Sequence, residues 1–303
     1  MQNLQTLDDA LTATLLPKRA RNTHKGDYGK AAIVAGSWEY TGAAYLSTAA
    51  CLRSGAGYTA LFTPKKLLPY YVLKSPEALL VPLNEGGRVA FKQKNFKKLL
   101  DYTAVAYGMG AGTSRAVAKG AAYLLKRYTG KLILDADALN ALAKYFTREQ
   151  IQTLFANKKC DVILTPHGKE FSRLSGESVQ TVIKDGLTLA QTYAKTHGCI
   201  VLLKGATSVI TDGARTLVNR AGTSGQAKAG SGDVLSGVLA GLCASGADVF
   251  SAGAAGAYLA GKAAELTARE LGAYSMLATD VIARLGKAFL RVTENADKQR
   301  RSE

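Results

Sequence analysis

The sequence is short of the residues that build metal cages and covalent staples. It has 4 cysteines and 3 histidines in 303 residues. Cys51, Cys160, Cys199 and Cys243 stand far apart and none belongs to a Cys-x-x-Cys pair, which excludes a zinc ribbon and a dithiol redox motif. Each lies in an apolar stretch, so buried free thiols are expected. His24, His167 and His197 are equally isolated. Proline is scarce at 6 residues, and no linker rich in Pro, Gly or Ser and no internal repeat divides the chain. No run of about 18 apolar residues is available to span a bilayer. Residues 1–16 are mildly amphipathic and carry Asp8 and Asp9 in place of the basic start and apolar middle of a secretion signal. The expected location is therefore the cytoplasm, with no membrane partner.

What is present is apolar and basic. Apolar residues make up 47% of the chain, enough for one large core or two smaller ones. The net charge is +16, yet the Lys and Arg are spread along the whole chain. They are dense only in residues 92–98 and 298–301, and neither cluster is interleaved with aromatics. A charge so distributed suits attraction of a small polyphosphate better than a nucleic-acid surface.

The chain alternates short apolar runs with helical patterns. Strands are expected at residues 30–35, 58–63, 104–107, 132–134, 162–164, 200–203, 208–211 and 216–218, with helices at 42–54, 115–128 and 184–196. After Gly232 the chain reads as helical almost to its end. Continuous apolar strands between helices specify an α/β fold, a mostly parallel sheet covered on both faces. A turn at Asp212-Gly213 adds a hairpin and antiparallel strands at one edge. Ligands of such sheets lie beyond the carboxyl ends of the strands. Five special segments follow strands directly: Gly36-Ser37, residues 108–112, residues 135–137, Thr165-Pro166-His167 and Lys204-Gly205.

The most informative stretch is Ala229-Gly230-Ser231-Gly232-Asp233, followed by a run that reads as a buried helix. Backbone N–H groups free of bulky side chains approach an anion closely, and a helix start adds its positive dipole end. Asp233 at the mouth is placed to take a proton from an attacking hydroxyl. The competing reading is a plain helix cap. The segment is not a Walker A loop, because Ser231-Gly232 stands where Lys and Ser/Thr are needed. Residues 108–112 lack the third glycine of a dinucleotide-binding turn. Lys204-Gly205-Ala206-Thr207-Ser208 follows a strand and suits phosphate, or is only a turn. Asp135 and Asp137 suit substrate orientation or water-mediated Mg²⁺ binding, with helix capping as the plain alternative for Asp137. His167 sits among these loops, with Glu170 in a first helical turn.

Taken in order, the motifs resemble the ADP- or ATP-dependent NAD(P)H-hydrate dehydratase family. They begin with residues 24–30 (HKGDYGK) before Ala35-Gly36-Ser37, then Gly42-Ala43-Ala44 and residues 53–57 (RSGAG). Gly108-Met109-Gly110, residues 134–140 (LDADALN), residues 164–171, residues 203–207 (LKGAT) and residues 229–237 complete the set. The resemblance implies a three-layer α/β/α ribokinase-like fold, one domain over residues 1–303 with residues 1–23 as an N-terminal extension and 295–303 as a frayed tail. It implies repair of NADHX and NADPHX to NADH and NADPH, driven by ADP or, in a eukaryotic branch, ATP, with Mg²⁺ on the phosphates and no protein metal ligand. Asp233 is the implied base, and the amides of Gly230, Ser231 and Gly232 the implied anion hole. The damaged cofactor is expected at Ala44, Gly110, His167 and Asp233, and the adenine nucleotide along Lys204, Gly205, Ala206, Thr207 and Ser208 and near Gly232. A homo-oligomer, expected as a tetramer, is implied as well. Residues 222–228 (GTSGQAK) depart from the family's Gly-Asn-Pro pattern, which alters the lining near the phosphates and leaves open whether Lys228 joins the site. The alternatives are a small-alcohol kinase on the same scaffold and a nucleotide- or nucleic-acid-binding protein without catalysis.

Overall fold

The computed structural model describes residues 4–302, with side chains through residue 295. Its strands are β1 (Gln5–Thr6), β2 (Lys30–Val34), β3 (Tyr58–Thr63), β4 (Leu79–Pro82), β5 (Ala104–Tyr107), β6 (Lys131–Leu134), β7 (Asp161–Leu164), β8 (Ile200–Leu203), β9 (Ser208–Thr211) and β10 (Thr216–Asn219). They form one sheet in the order β1-β10-β9-β8-β7-β6-β5-β2-β3-β4. Only β9 is antiparallel to its two neighbours, β8 and β10, so the antiparallel pairs lie toward one edge, as expected. The helices are α1 (Asp9–Leu15), α2 (Thr41–Leu52), α3 (Leu68–Val72), α4 (Gln93–Phe96), α5 (Arg115–Arg127), α6 (Asp137–Tyr145), α7 (Arg148–Ala156), α8 (Gly168–Ser175), α9 (Val179–His197), α10 (Ser231–Ala244), α11 (Val249–Ser275) and α12 (Ala278–Ser302).

Strand side chains alternate between faces, so each apolar run feeds two cores. Ile33, Leu61, Ile133, Ile163 and Leu202 pack under α2, α10, α11 and α12. Their neighbours Val34, Phe62, Leu134, Val162 and Leu203 pack under α5 to α9 on the other side. The result is three layers, α/β/α, with the sheet buried on both faces.

Two strands were not expected. β4 forms the far edge and is half exposed, so its apolar run lacks the flanking pattern of a central strand. β1 is two exposed residues pairing with Leu217 and Val218. Residues 4–23, read as an extension, thus supply an edge strand and helix α1. The latter is tied down by a bond from the Tyr258 hydroxyl to Asp9 (2.8 Å). Helix α12 has helical backbone through Ser302, with Leu285, Ala288 and Val292 buried along it.

The chain runs outward from β2 to β3 and β4, then returns to place β5 on the other side of β2. Sheets of this kind bind ligands beyond the strand ends at such a reversal. Helix α10 crosses beneath that region and is buried at every residue from Val234 to Ala244. Such a helix is apolar all round because it packs on all sides. Its close approach to α2 needs Gly237, where a Cβ would fall 2.1 Å from the Ser47 carbonyl oxygen. Gly237→Ala is therefore expected to cost about 2 kcal/mol or more, since backbone cannot yield as a side chain does. A fall in Tm of several degrees, read by calorimetry, checks it; an unchanged Tm would contradict the packing.

Candidate active site

Helix α10 begins without a cap. Gly230 holds the N-cap position at φ 98°, and no side chain accepts from the first turn. A side chain at Gly230 would also collide with Leu46 and press on Ala278. Of the three amides expected as the anion hole, that of Ser231 turns to the Lys228 carbonyl (3.5 Å). The Val234 N–H reaches the Gly230 carbonyl (3.0 Å), and among the described residues the N–H groups of Gly230, Gly232 and Asp233 have no backbone or side-chain acceptor. Bare amides at a helix start favour an anion.

They open into a cavity of about 910 Å³. Gly230, Ser231, Gly232, Asp233, His167, Lys204, Gly205, Ala206 and Ser208 all line it, together with Asp135 and residues 221–224. Thr207 is not among the lining residues. Ala44 and Gly110 lie elsewhere, at the β2–β5 reversal: Ala44 is fully buried against Gly36, and Gly110 is backed by Tyr40 and Ala43. A second hollow of about 1230 Å³ lies between residues 13–19 and the last turns of α2 and α10, but no carboxylate lines it, so it offers no base.

Beneath the glycine turn sits a charged cluster. The Lys204 ammonium donates to Asp135 Oδ1 at 2.9 Å and lies 3.8 Å from Glu170 Oε2. Ser236, one turn into α10, donates to Asp135 Oδ2 at 2.7 Å. Asp135 is 1% exposed, so these partners are what make its burial tolerable. Burial alone would lower the Lys204 pKa, but Asp135 and Glu170 leave it raised. Glu170 is pushed up, chiefly by burial, with Lys204 opposing. Asp233 is half-buried, lines the cavity, and makes no hydrogen bond or ion pair among the described residues. Burial, then the charge of Asp135, raises its pKa from 3.8 to about 7, with Lys204 pulling the other way.

The loops that carry these groups are strained or capped. Ala136 has φ 50° and ψ −115°, the one positive φ outside glycine among the described residues. Such a conformation costs roughly 1–3 kcal/mol. It closes a tight turn, Ala138 N–H to the Asp135 carbonyl (3.1 Å), that sends Asp135 inward. Asp137 instead accepts from the Gly112 N–H (2.8 Å) and the Thr113 hydroxyl (3.1 Å), joining the loops after β5 and β6. His167 is the N-cap of α8, its Nδ1 accepting from the N–H of Lys169 (3.1 Å) and Glu170 (3.3 Å). Glu170 reciprocates by accepting the His167 N–H at 2.9 Å. The other ring nitrogen, Nε2, lies 3.4 Å from Glu170 Oε1, and the side chain, 49% exposed, lines the cavity.

Sequence reasoning missed Ser236. The available signal was its position three residues after Asp233, on the same side of the helix. Asn219 and the α11 residues Ala257, Ala260 and Gly261, which complete the cavity, carried no local signal.

The cluster sets a titration that can be measured. Asp135→Asn removes the negative neighbour of Asp233 and frees Lys204 to oppose protonation, so the Asp233 pKa is expected to fall clearly below about 7. Carboxyl NMR titration of labelled protein checks it; an unmoved or raised value would refute the coupling.

Comparison with known proteins agrees with this geometry. A family model described as NAD(P)H-hydrate dehydratase matches residues 31–287. The ADP-dependent (S)-NAD(P)H-hydrate dehydratase of Neisseria meningitidis serogroup B is 36% identical over 267 residues, covering 87% of this chain and 86% of its own length. The crystal structure of the ADP/ATP-dependent NAD(P)H-hydrate dehydratase from Bacillus subtilis, co-crystallized with ATP/Mg²⁺, superposes with a TM-score of 0.82 at 30% identity, covering 96% of this chain and all of that one. A ribokinase-like superfamily protein from Enterococcus faecalis V583 shares the fold, with a TM-score of 0.77 at 24% identity over 96% of this chain and 97% of that one. The chain spans about half the length of the bifunctional NAD(P)H-hydrate repair enzymes it also matches. The fold is thus ribokinase-like, and the chain belongs to the NAD(P)H-hydrate dehydratase family.

Proposed function

We propose that this protein dehydrates NADHX and NADPHX to NADH and NADPH while converting ADP to AMP and phosphate. The observation that carries the reading is Asp233, unpaired and raised to about 7, beside bare helix-start amides in a cavity large enough for a ligand. The preference for ADP over ATP is supported by the name of the Neisseria relative.

In this reading Asp233 takes the proton of the hydroxyl at the 6-position of the damaged ring. The oxygen attacks the terminal phosphorus of ADP, and AMP leaves. The amides of Gly232 and Asp233, with the Lys204 ammonium close beneath, stabilise charge on the transferring group. Phosphate is a far better leaving group than hydroxide. The ring nitrogen lone pair expels it, and loss of a proton from the adjacent carbon restores the reduced ring. Lys204, Gly205, Ala206, Ser208 and Gly232 hold the nucleotide in this proposal, and His167, with Gly110 at the β2–β5 reversal, the damaged cofactor. Thr207 does not line the cavity and Ala44 is fully buried, so neither is assigned a contact.

Of the two carboxylates lining the cavity, Asp135 is occupied by Lys204 and Ser236. Among the described residues no group of three His, Cys, Asp or Glu side chains is arranged to hold a metal. The donor set therefore fits Mg²⁺ carried on nucleotide oxygens and water, as a hard and strongly hydrated cation prefers. When bound it would neutralise charge on the phosphates. A cytoplasmic site of action is supported by four buried, unpaired cysteines. We include a homo-oligomer in the proposal, expected as a tetramer; Val72 and Leu73, and Leu79 of edge strand β4, are exposed apolar side chains that suit coverage by a second copy.

Purified protein with Mg²⁺ is expected to regenerate the near-ultraviolet absorbance of reduced nicotinamide from NADHX with ADP, and more slowly with ATP. No recovery with either nucleotide would reject the reading; a stable phosphorylated alcohol from an alcohol panel would favour a kinase. Because the base must be ionised, kcat/KM is expected to fall on the acid side with an apparent pKa of about 7. Asp233→Asn is expected to retain nucleotide binding and lose about 10²–10⁴ in rate. The same variant should be the more thermostable at high pH. A carboxyl raised by burial disfavours folding once ionised, a cost absent below its ordinary range and complete above about 7. Wild-type turnover in Asp233→Asn would remove the base from the mechanism.

A further inference from the structure

Lys228 lies in the loop that departs from the family's pattern, two residues before Gly230. Its ammonium makes no ion pair with a carboxylate among the described residues. It donates instead to the carbonyl oxygens of Tyr274 (2.5 Å) and Met276 (3.0 Å), at the corner between α11 and α12. We propose that Lys228 is a positioning residue, a strut that fastens the loop before α10 to this corner and so holds the bare amides in place for phosphate.

Carbonyls left open at a helix end carry the negative end of its dipole and suit an ammonium. Two further contacts join the same loop to the same corner. Gly225 is seated so closely that a Cβ there would come within 2.9 Å of the Ala273 carbonyl oxygen and into the Met276 side chain, and Gly230 abuts Ala278. The corner itself is made by Gly272, at φ 76° and ψ 154°, which breaks the 27-residue helix α11. Only glycine adopts that conformation readily. A Cβ on Gly272 would meet nothing within 4 Å, so Gly272→Ala acts through the backbone alone. Lys228 lines the cavity as well, but its ammonium is held on these two carbonyls. That leaves Lys204, its ammonium 3.5 Å from where a Gly232 Cβ would stand, as the counter-charge of the phosphate in this proposal.

The inference rests on the phosphoryl-transfer reading of the turn, and its test separates the two. Wild type, Lys228→Met, Lys228→Arg, Gly272→Ala and the Met/Ala double variant are compared in ADP-dependent NADHX recovery and in amide hydrogen exchange of residues 225–232. Lys228→Met is expected to leave Tm within about 2 °C, because the side chain is exposed. It should speed exchange in the loop and lower kcat on the order of 10-fold, with KM for NADHX nearly unchanged. Lys228→Arg, whose guanidinium reaches both carbonyls, should recover most of the loss. In the double variant the effects should not multiply, because both break one fastening. Wild-type exchange and kcat in Lys228→Met would overturn the strut. So would fully multiplicative losses, which would mean that Lys228 acts on the ligand itself. Wild-type protein without turnover would reject the functional reading alone, while the exchange comparison would still decide for or against the strut.

Discussion

An ammonium and a carboxylate 2.9 Å apart, beneath an uncapped helix and on the wall of the cavity, are the contact on which the rest of this site depends. Lys204 comes from the end of β8 and Asp135 from the end of β6, and Ser236 fixes the pair to α10. Breaking such a pair leaves a buried charge without a partner, which costs about 3–5 kcal/mol. The three-way contact therefore sets where α10 begins relative to the sheet. Asp233, the one member without a partner, is raised first by its burial and then by the charge of Asp135, which Lys204 only partly offsets. The same geometry thus fixes the position of the helix start and the acidity of the residue beside it.

Stability is given up at several points around this cluster. Ala136 holds a backbone conformation suited to glycine. Helix α10 leaves its first N–H groups without a cap, and Asp233 is raised by burial. Each is unfavourable for folding alone and useful to a bound anion. Elsewhere the helices keep to ordinary rules: Ser114, Thr147 and Ser178 cap α5, α7 and α9 through their hydroxyls. The departures are concentrated where strand ends and α10 meet, as expected of a site that must bind charge and release it.

The sheet was largely legible because its central strands are continuous apolar runs ended by glycine, aspartate or lysine; β3, β5, β8 and β9 fall at the residues expected. The edge strands β1 and β4 were not, since pairing by two exposed residues or by a half-exposed segment leaves little pattern. Within the site, Asp233, Lys204 and Asp135 were visible as polar residues directly after strands or before a buried helix. Their mutual arrangement was not, because Ser236 lies 101 residues from Asp135 and only the packing of α10 joins them. His167 shows a different limit: its capping of α8 could be read from the Glu170 three residues on, but its exposure to the cavity could not. Lys228 was recognisable as an anomaly of the loop, while its partners are carbonyl groups that carry no sequence signal.

The central claim is that the N–H groups of Gly232 and Asp233 receive a phosphoryl group beside an available carboxylate. The most direct measurement is a crystal structure with the ADP analogue whose bridging oxygen is replaced by methylene. The account predicts terminal phosphate oxygens about 2.7–3.1 Å from those two nitrogens, with the Asp233 carboxylate facing the same space. Phosphate bound elsewhere while both amides stay bare, or Asp233 turned into an ion pair, would contradict it.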